Sequence, residues 1–210
     1  METDLRLTAD GVVVLSHDED LRRTANDPRT VGEVMWAELA DLDSGDGRGF
    51  VRLDDALHAQ PAMKFNIDLK DSSVVQAALQ TVRDAQALDR VRFASFSARR
   101  LAVLRRQEPR ALTSLGVSDV LGLMLRSEAA VPLPQTRWGW SRGRVDAVQV
   151  PESYHGVPVV TRRFVASAHT AGLEVHVWTV DDPERMRHLA DLNVDAIMTD
   201  VPSLAVQTLS

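Results

Sequence analysis

The sequence predicts an α/β fold, a mainly parallel sheet with helices outside it. The architecture is of the TIM (β/α)8-barrel type but lacks a first strand and helix. Three observations carry this expectation. From about residue 63 onward, segments with the two-residue period of strands alternate with segments whose apolar spacing is helical. Strand-like segments begin near residues 2, 63, 91, 111, 146, 174 and 195, seven where a closed barrel has eight. Polar and charged residues gather at the ends of these segments, which is where such a barrel builds its site.

In the first strand, Glu2, Asp4 and Arg6 point to one face and Thr3, Leu5 and Leu7 to the other. A tight Ala9-Asp10-Gly11 turn follows, then a β-branched run ending at Ser16-His17-Asp18. That run lies too close to its predecessor for a parallel crossover, so it is expected to pair as a hairpin. Residues 18–50 are polar and Gly-rich and read as an excursion on the surface rather than a linker between domains, with one helix over 31–42.

A short helix is expected over 52–60, and a strand over 63–70 puts Asn66, Asp68 and Lys70 on one face. Helices over 74–88, 98–106, 117–125, 161–171, 182–193 and 203–209 then alternate with the remaining strands. Pro183 suits the first turn of its helix, and a Pro- and Trp-containing loop occupies 131–140. The 210 residues make one domain, long enough to bury a core.

Composition narrows the function. A net charge of −6 offers no basic surface to track a phosphate backbone, so nucleic acid is not an expected partner. The paired arginines (22–23, 99–100, 105–106, 162–163) read as solvated helix faces. The absence of cysteine removes disulfides, thiolate metal sites and thiol nucleophiles together. No apolar run is long enough for a membrane span, and a cytoplasmic location is expected, with secretion left open by the start of the chain.

The residues that could do chemistry are Glu2, Asp4, His17, Asp68, Lys70, Ser95, Trp178, Thr199 and Asp200. Glu2, Asp4 and Asp68 offer only hard oxygen donors, which suit Mg²⁺ or Ca²⁺ better than zinc. His17 could move a proton, and Lys70 is a point charge for an anionic oxygen. Lys64 and Lys70 are the two lysines in a basic set of 24 that is otherwise arginine. Plainer roles exist for each: a solvated chain end, a structural histidine, an Asp68–Lys70 pair, a core tryptophan, and Asp200 capping the last helix. His58, His155, His169 and His188 show no ligand spacing.

Taken in order, Glu2-Thr3-Asp4-Leu5-Arg6-Leu7-Thr8-Ala9-Asp10-Gly11, Val14-Leu15-Ser16-His17-Asp18 and Leu21-Arg22-Arg23-Thr24 resemble the glycerophosphodiester phosphodiesterases. The resemblance continues through Phe65-Asn66-Ile67-Asp68-Leu69-Lys70, Ser95-Phe96-Ser97, Val177-Trp178-Thr179-Val180 and Thr199-Asp200-Val201-Pro202. It implies a TIM barrel with a small insertion after the second strand, matching residues 18–50, one divalent cation (Ca²⁺ or Mg²⁺) and hydrolysis of glycerophosphodiesters to glycerol 3-phosphate and an alcohol. Carried over, Glu2, Asp4 and Asp68 are metal ligands, and His17 is one of two catalytic histidines. Lys70 contacts phosphate and Trp178 lines the substrate pocket.

Two departures from the family pattern stand out. Family members usually carry glutamate where Asp68 stands, so this ligand is one methylene shorter. The family also opens with a His-Arg-Gly strand and a Glu-Asn-Thr helix ahead of the position of Glu2, and neither is in this sequence. The expectation is therefore a reading frame that starts upstream, a chain inactive as given for want of the other histidine, and self-association across the open barrel edge. The alternative readings are a sphingomyelinase D-like phospholipase on the same barrel and a non-catalytic barrel acting as a binding or scaffold protein.

Overall fold

The computed structural model describes residues 1–45, 47–128 and 144–210, so the loop expected over 131–140 lies outside the described residues. The chain divides into two compact units, Met1–Ser95 with Val103–Leu112, and Phe96–Ala102 with Thr113–Ser210. In chain order the elements begin β1 (Glu2–Leu7), β2 (Val13–Leu15), α1 (Arg22–Ala25), α2 (Trp36–Ala40), α3 (Leu53–Ala59), β3 (Phe65–Leu69), α4 (Val74–Asp84) and β4 (Val91–Ala94). They continue with α5 (Ala98–Gln107), β5 (Leu112–Ser114), α6 (Val117–Glu128), β6 (Arg144–Pro151), β7 (Ser153–Tyr154), β8 (Val157–Pro158) and α7 (Arg162–Thr170). The last are β9 (Glu174–Trp178), α8 (Pro183–Asp191), β10 (Ala196–Ile197) and α9 (Pro202–Leu209). The strands expected near 2, 63, 91, 111, 146, 174 and 195 are all present. Among the described residues no helix is long and apolar enough to cross a membrane.

In the first unit the strand order is β2-β1-β3-β4, with β1 parallel to β3, β3 parallel to β4, and β2 antiparallel to β1. The hairpin expected after the Ala9-Asp10-Gly11 turn is the β1–β2 pair, and Gly11 takes the positive φ (82°) that the turn requires. Leu5, Ile67, Leu69 and Phe93 alternate inward and are fully buried with Leu53, Leu57, Val74, Ala78 and Leu79 of the helices packed on them. The two-residue period of β1 therefore sends Leu5 to the core and leaves Asp4 and Arg6 on the opposite face.

The polar insertion packs a small core, Leu21, Val31, Val34 and Leu39, with Val14 of β2. The helix expected over 31–42 is broken into a 3₁₀ turn, Val31–Glu33, and α2, with Val34 and Met35 extended between them. Bonds from the β1–β2 turn cause the break: the Ala9 N–H donates to the Val34 carbonyl (2.9 Å) and the Trp36 N–H to Asp10 Oδ1 (2.9 Å). These bonds to the turn outweigh the gain from one continuous helix.

In the second unit the order is β5-β6-β9-β10, with β6, β9 and β10 mutually parallel along the sheet. Val148, Val150, Val175 and Val177 are buried against Phe164, Val165, Met186 and Leu189. Thr161 caps α7 through the Phe164 N–H and Asp182 caps α8 through the Arg185 N–H, with Pro183 in the first turn as expected. Asp200 does not cap α9, whose capping position is Val201; its N–H donates to Asp181 Oδ1 instead. The β7–β8 hairpin has no counterpart in the sequence reading. It turns at His155-Gly156, both with positive φ (49° and 78°), as a two-residue hairpin connection demands.

Truncating Leu5 to alanine leaves a void behind the strand that carries Glu2 and Asp4. It is expected to cost about 2–5 kcal/mol, read as a lower midpoint in urea unfolding with an unchanged slope.

Candidate active site

The site is assembled on one face of β1 and β3. The parallel register sets Glu2 beside Asn66 and Asp4 beside Asp68, so the carboxylates of two strands far apart in sequence share one surface. Lys70, one residue beyond β3, reaches back over both: its Nζ lies 2.8 Å from Asp4 Oδ1 and 3.3 Å from Asp68 Oδ2. Burial by itself would pull the lysine down, but the hydrogen bond and charge of Asp4, then of Asp68, outweigh it and hold the ammonium above its ordinary value.

Three carboxylates and one ammonium leave a surplus of negative charge, and Glu2 carries it. Burial first, then the charges of Asp4 and Asp68, push its carboxyl up to about 7; Lys70 and His17 oppose the shift without cancelling it. Among the described residues no three carboxylate or imidazole groups already converge as a cation cage. The donor chemistry nevertheless fits a hard divalent ion: all-oxygen groups, two of them sharing a single lysine, and a third whose crowding a cation would relieve.

His17 stands two residues past β2. The Ser16 N–H donates to the Asp4 carbonyl (3.0 Å), which ties this turn to the strand that carries the acidic pair. An Arg6 Nη2 donates to the His17 carbonyl (3.3 Å), and Arg6 Nη1 lies 3.8 Å from Asp71 Oδ2. The His17 ring meets Asp18, with Nδ1 2.8 Å from Oδ1, and the other Asp18 oxygen accepts from Arg23 Nε at 2.6 Å. The hydrogen bond from Arg23, followed by that from His17, keeps the Asp18 carboxyl below its usual range. The Thr8-Ala9-Asp10-Gly11 stretch supports this arrangement from below. Thr8 Oγ1 donates to Asp10 Oδ1 (2.6 Å), the same oxygen that accepts from Trp36.

Glu2, Asp4, His17, Asp68 and Lys70 thus all belong to the first unit. Trp178 belongs to the second, at the end of β9, where its ring meets Phe96 edge to face with centroids 5.8 Å apart. Thr199 and Asp200 form a turn held by Asp181, since Thr199 Oγ1 donates to Asp181 Oδ1 at 2.8 Å. Ser95 donates to the Leu69 carbonyl (3.0 Å) beneath the Lys70 turn, so it braces the strand ends of the first unit. Sequence reasoning gave no site role to Arg6, Asp18, Arg23 or Phe96, and read Arg23 as part of a solvated helix face. The available signals were the adjacency of His17 and Asp18 and the place of Arg6 on the face of Glu2 and Asp4.

The chain is similar to known proteins along nearly its whole length. The sequence profile described as "Glycerophosphoryl diester phosphodiesterase family" matches residues 1–204. The chain is 38% identical to the Mycobacterium tuberculosis protein named "Probable glycerophosphodiester phosphodiesterase 2", over 95% of this chain and 75% of that one. It superposes on the glycerophosphodiester phosphodiesterase of Agrobacterium tumefaciens with a TM-score of 0.74 and 25% identity, covering 97% of this chain and 85% of that one. An Oleispira antarctica phosphodiesterase, solved in complex with the product sn-glycerol-3-phosphate, gives a TM-score of 0.77 at 20% identity over 99% of this chain and 83% of that one. The shared fold is the α/β, TIM-type architecture that the alternation of strands and helices predicts. The chain belongs to the glycerophosphoryl diester phosphodiesterase family and is an enzyme of the phosphoric diester hydrolase class.

Proposed function

We propose that this site hydrolyses a glycerophosphodiester to glycerol 3-phosphate and an alcohol, with Glu2, Asp4 and Asp68 holding a divalent cation, Ca²⁺ or Mg²⁺. The observation that carries the reading is the in-register placement of Glu2 and Asp4 beside Asp68 and Lys70, with His17 tied to the same strand, in a chain of this family. A phosphodiester brings one negative charge, and its transition state spreads more onto the non-bridging oxygens. Bound there, the cation supplies Lewis-acid stabilisation of that charge.

The residues themselves do the rest. Lys70 has an ammonium that stays charged and reaches over the shared face, so it can take a phosphate oxygen as a point charge. His17 moves a proton, either from the attacking hydroxyl or to the departing alkoxide. Within the second unit Trp178 and the edge-on ring of Phe96 form an apolar pair of the kind that suits the glycerol or alcohol portion of a substrate.

Release of glycerol 3-phosphate from glycerophosphocholine by the full-length protein tests the reading. His17→Ala should lower kcat by about 10²- to 10⁴-fold, and a chelator should abolish turnover until Ca²⁺ or Mg²⁺ is restored. A protein that binds the ester and never turns it over would be the scaffold instead.

A second test follows from Glu2. Burial and the charges of Asp4 and Asp68 push its carboxyl from the ordinary carboxylate range up to about 7, so the metal-free fold retains a proton in that window which the unfolded chain has lost. Stability of the metal-free protein should therefore fall as pH rises from 5 to 8. Cation binding near pH 7 should release protons and weaken as pH drops. Calorimetric titration in buffers of different ionisation enthalpy measures that release, and Glu2→Gln should remove most of it.

A further inference from the structure

Arg6 carries a charge on the face of Glu2 and Asp4 that its neighbours only partly answer. The alternation of β1 puts it on that face, and its side chain is 16% exposed. A guanidinium offers donors only, so each N–H taken from water needs an acceptor. Here Nη2 donates to the His17 carbonyl at a long 3.3 Å. Nη1 lies 3.8 Å from Asp71 Oδ2, which is an ion-pair distance without a hydrogen bond. Nε is buried, and among the described residues no acceptor meets it.

Asp71 does not close this gap because the start of α4 claims it. Its Oδ1 accepts from the Ser73 N–H (2.9 Å), the Ser73 hydroxyl and the Val74 N–H (3.1 Å). Lys70 is the opposite case, with Nζ 2.8 Å from Asp4 Oδ1 and 3.3 Å from Asp68 Oδ2. The register sets Leu5 beside Leu69, and Arg6 and Lys70 come next along the two chains. One of these neighbouring cations is saturated with carboxylate and the other is not. Burying an under-paired guanidinium costs free energy, and a long bond to one peptide carbonyl does not offset it. Arg6 also borders the same open groove as His17, within reach of a solute that meets the histidine.

We infer that Arg6 is a binding residue for a phosphate oxygen of the substrate, and that its loose pair with Asp71 sets how tightly that oxygen is held. The inference rests on the reading of this site as one for a phosphodiester. A planar guanidinium can meet phosphate oxygens through two N–H groups at once, where the Lys70 ammonium acts as a point charge. The charge it meets is present before, during and after the reaction, so the contact acts on binding more than on the barrier. The product phosphomonoester carries more negative charge than the diester and feels Arg6 more strongly. Asp71 competes with either anion for the same guanidinium.

The test combines steady-state kinetics on glycerophosphocholine with calorimetric binding of glycerol 3-phosphate, both on the full-length protein with Ca²⁺ or Mg²⁺ present. Arg6→Gln should raise KM and the Kd of glycerol 3-phosphate by about 10- to 100-fold, with kcat changed far less. Asp71→Asn keeps an oxygen for the Ser73 and Val74 N–H groups and removes the charge opposite Arg6. It should lower both constants, which a pair serving stability alone would not do. Should Arg6→Gln fail to fold, the direction in which Asp71→Asn moves the binding decides by itself. Glycerol 3-phosphate binding that is alike in the wild type and both variants overturns the inference. So does an Arg6→Gln protein with a lower kcat and both constants unmoved, the mark of a residue acting only through the His17 peptide. If binding shifts as expected in both variants while the wild type never turns over glycerophosphocholine, the hydrolase reading has failed and Arg6 stands as an anion-binding residue.

Discussion

The Lys70 ammonium, shared between Asp4 and Asp68, is the interaction on which the site depends. Two carboxylates on neighbouring strands repel each other, the more so where water is partly excluded. A single lysine over both offsets that repulsion and pins the register of β1 against β3. A slip of one residue would turn Asp4 inward and Leu5 outward, losing the ion pair and the core contact together. The same arithmetic explains Glu2. It is the third negative charge in a cluster with one positive partner, and it answers by holding its proton more tightly.

Around this cluster the chain spends its polar side chains on geometry. Thr8 and Asp10 close the β1–β2 turn, and Asp10 also receives the N–H of Trp36 at the start of α2. Ser16 returns the chain to β1 through the Asp4 carbonyl, which delivers His17 to the acidic strand. The polar insertion is therefore a packed bracket with its own apolar residues, Leu21, Val31, Val34 and Leu39, beneath a charged surface. Its placement accounts for a histidine held by its backbone and by its ring at once.

How much of this was legible depended on whether the signal was local. The strands were legible because alternation in Glu2–Leu7 and in Phe65–Leu69 is a property of each segment alone. The helices expected over 161–171 and 182–193, the second marked by Pro183, were legible for the same reason. The helix over 31–42 was misread because its break is imposed from outside, by Ala9 and Asp10 bonding to Val34 and Trp36. The β7–β8 hairpin escaped because two-residue strands carry no period, and its His155-Gly156 turn is a weak cue. Arg23 escaped because it acts on Asp18 across irregular backbone, where no fixed spacing applies.

The sequence by itself determined the α/β class, the order of the strands along the chain, and the residue types from which the site is made. Each of these is written in short-range periodicity or in a motif read along the chain. Only the tertiary structure decided which charge answers which: Lys70 over Asp4 and Asp68, Arg6 on the His17 peptide, and Arg23 on Asp18 behind the ring. The reason is physical. A side chain's charge and reach are fixed by its own chemistry, but its partner is fixed by strand register and by the fold of a connecting turn. Both are set by burying residues such as Leu5, Ile67 and Leu21, which take no part in the chemistry.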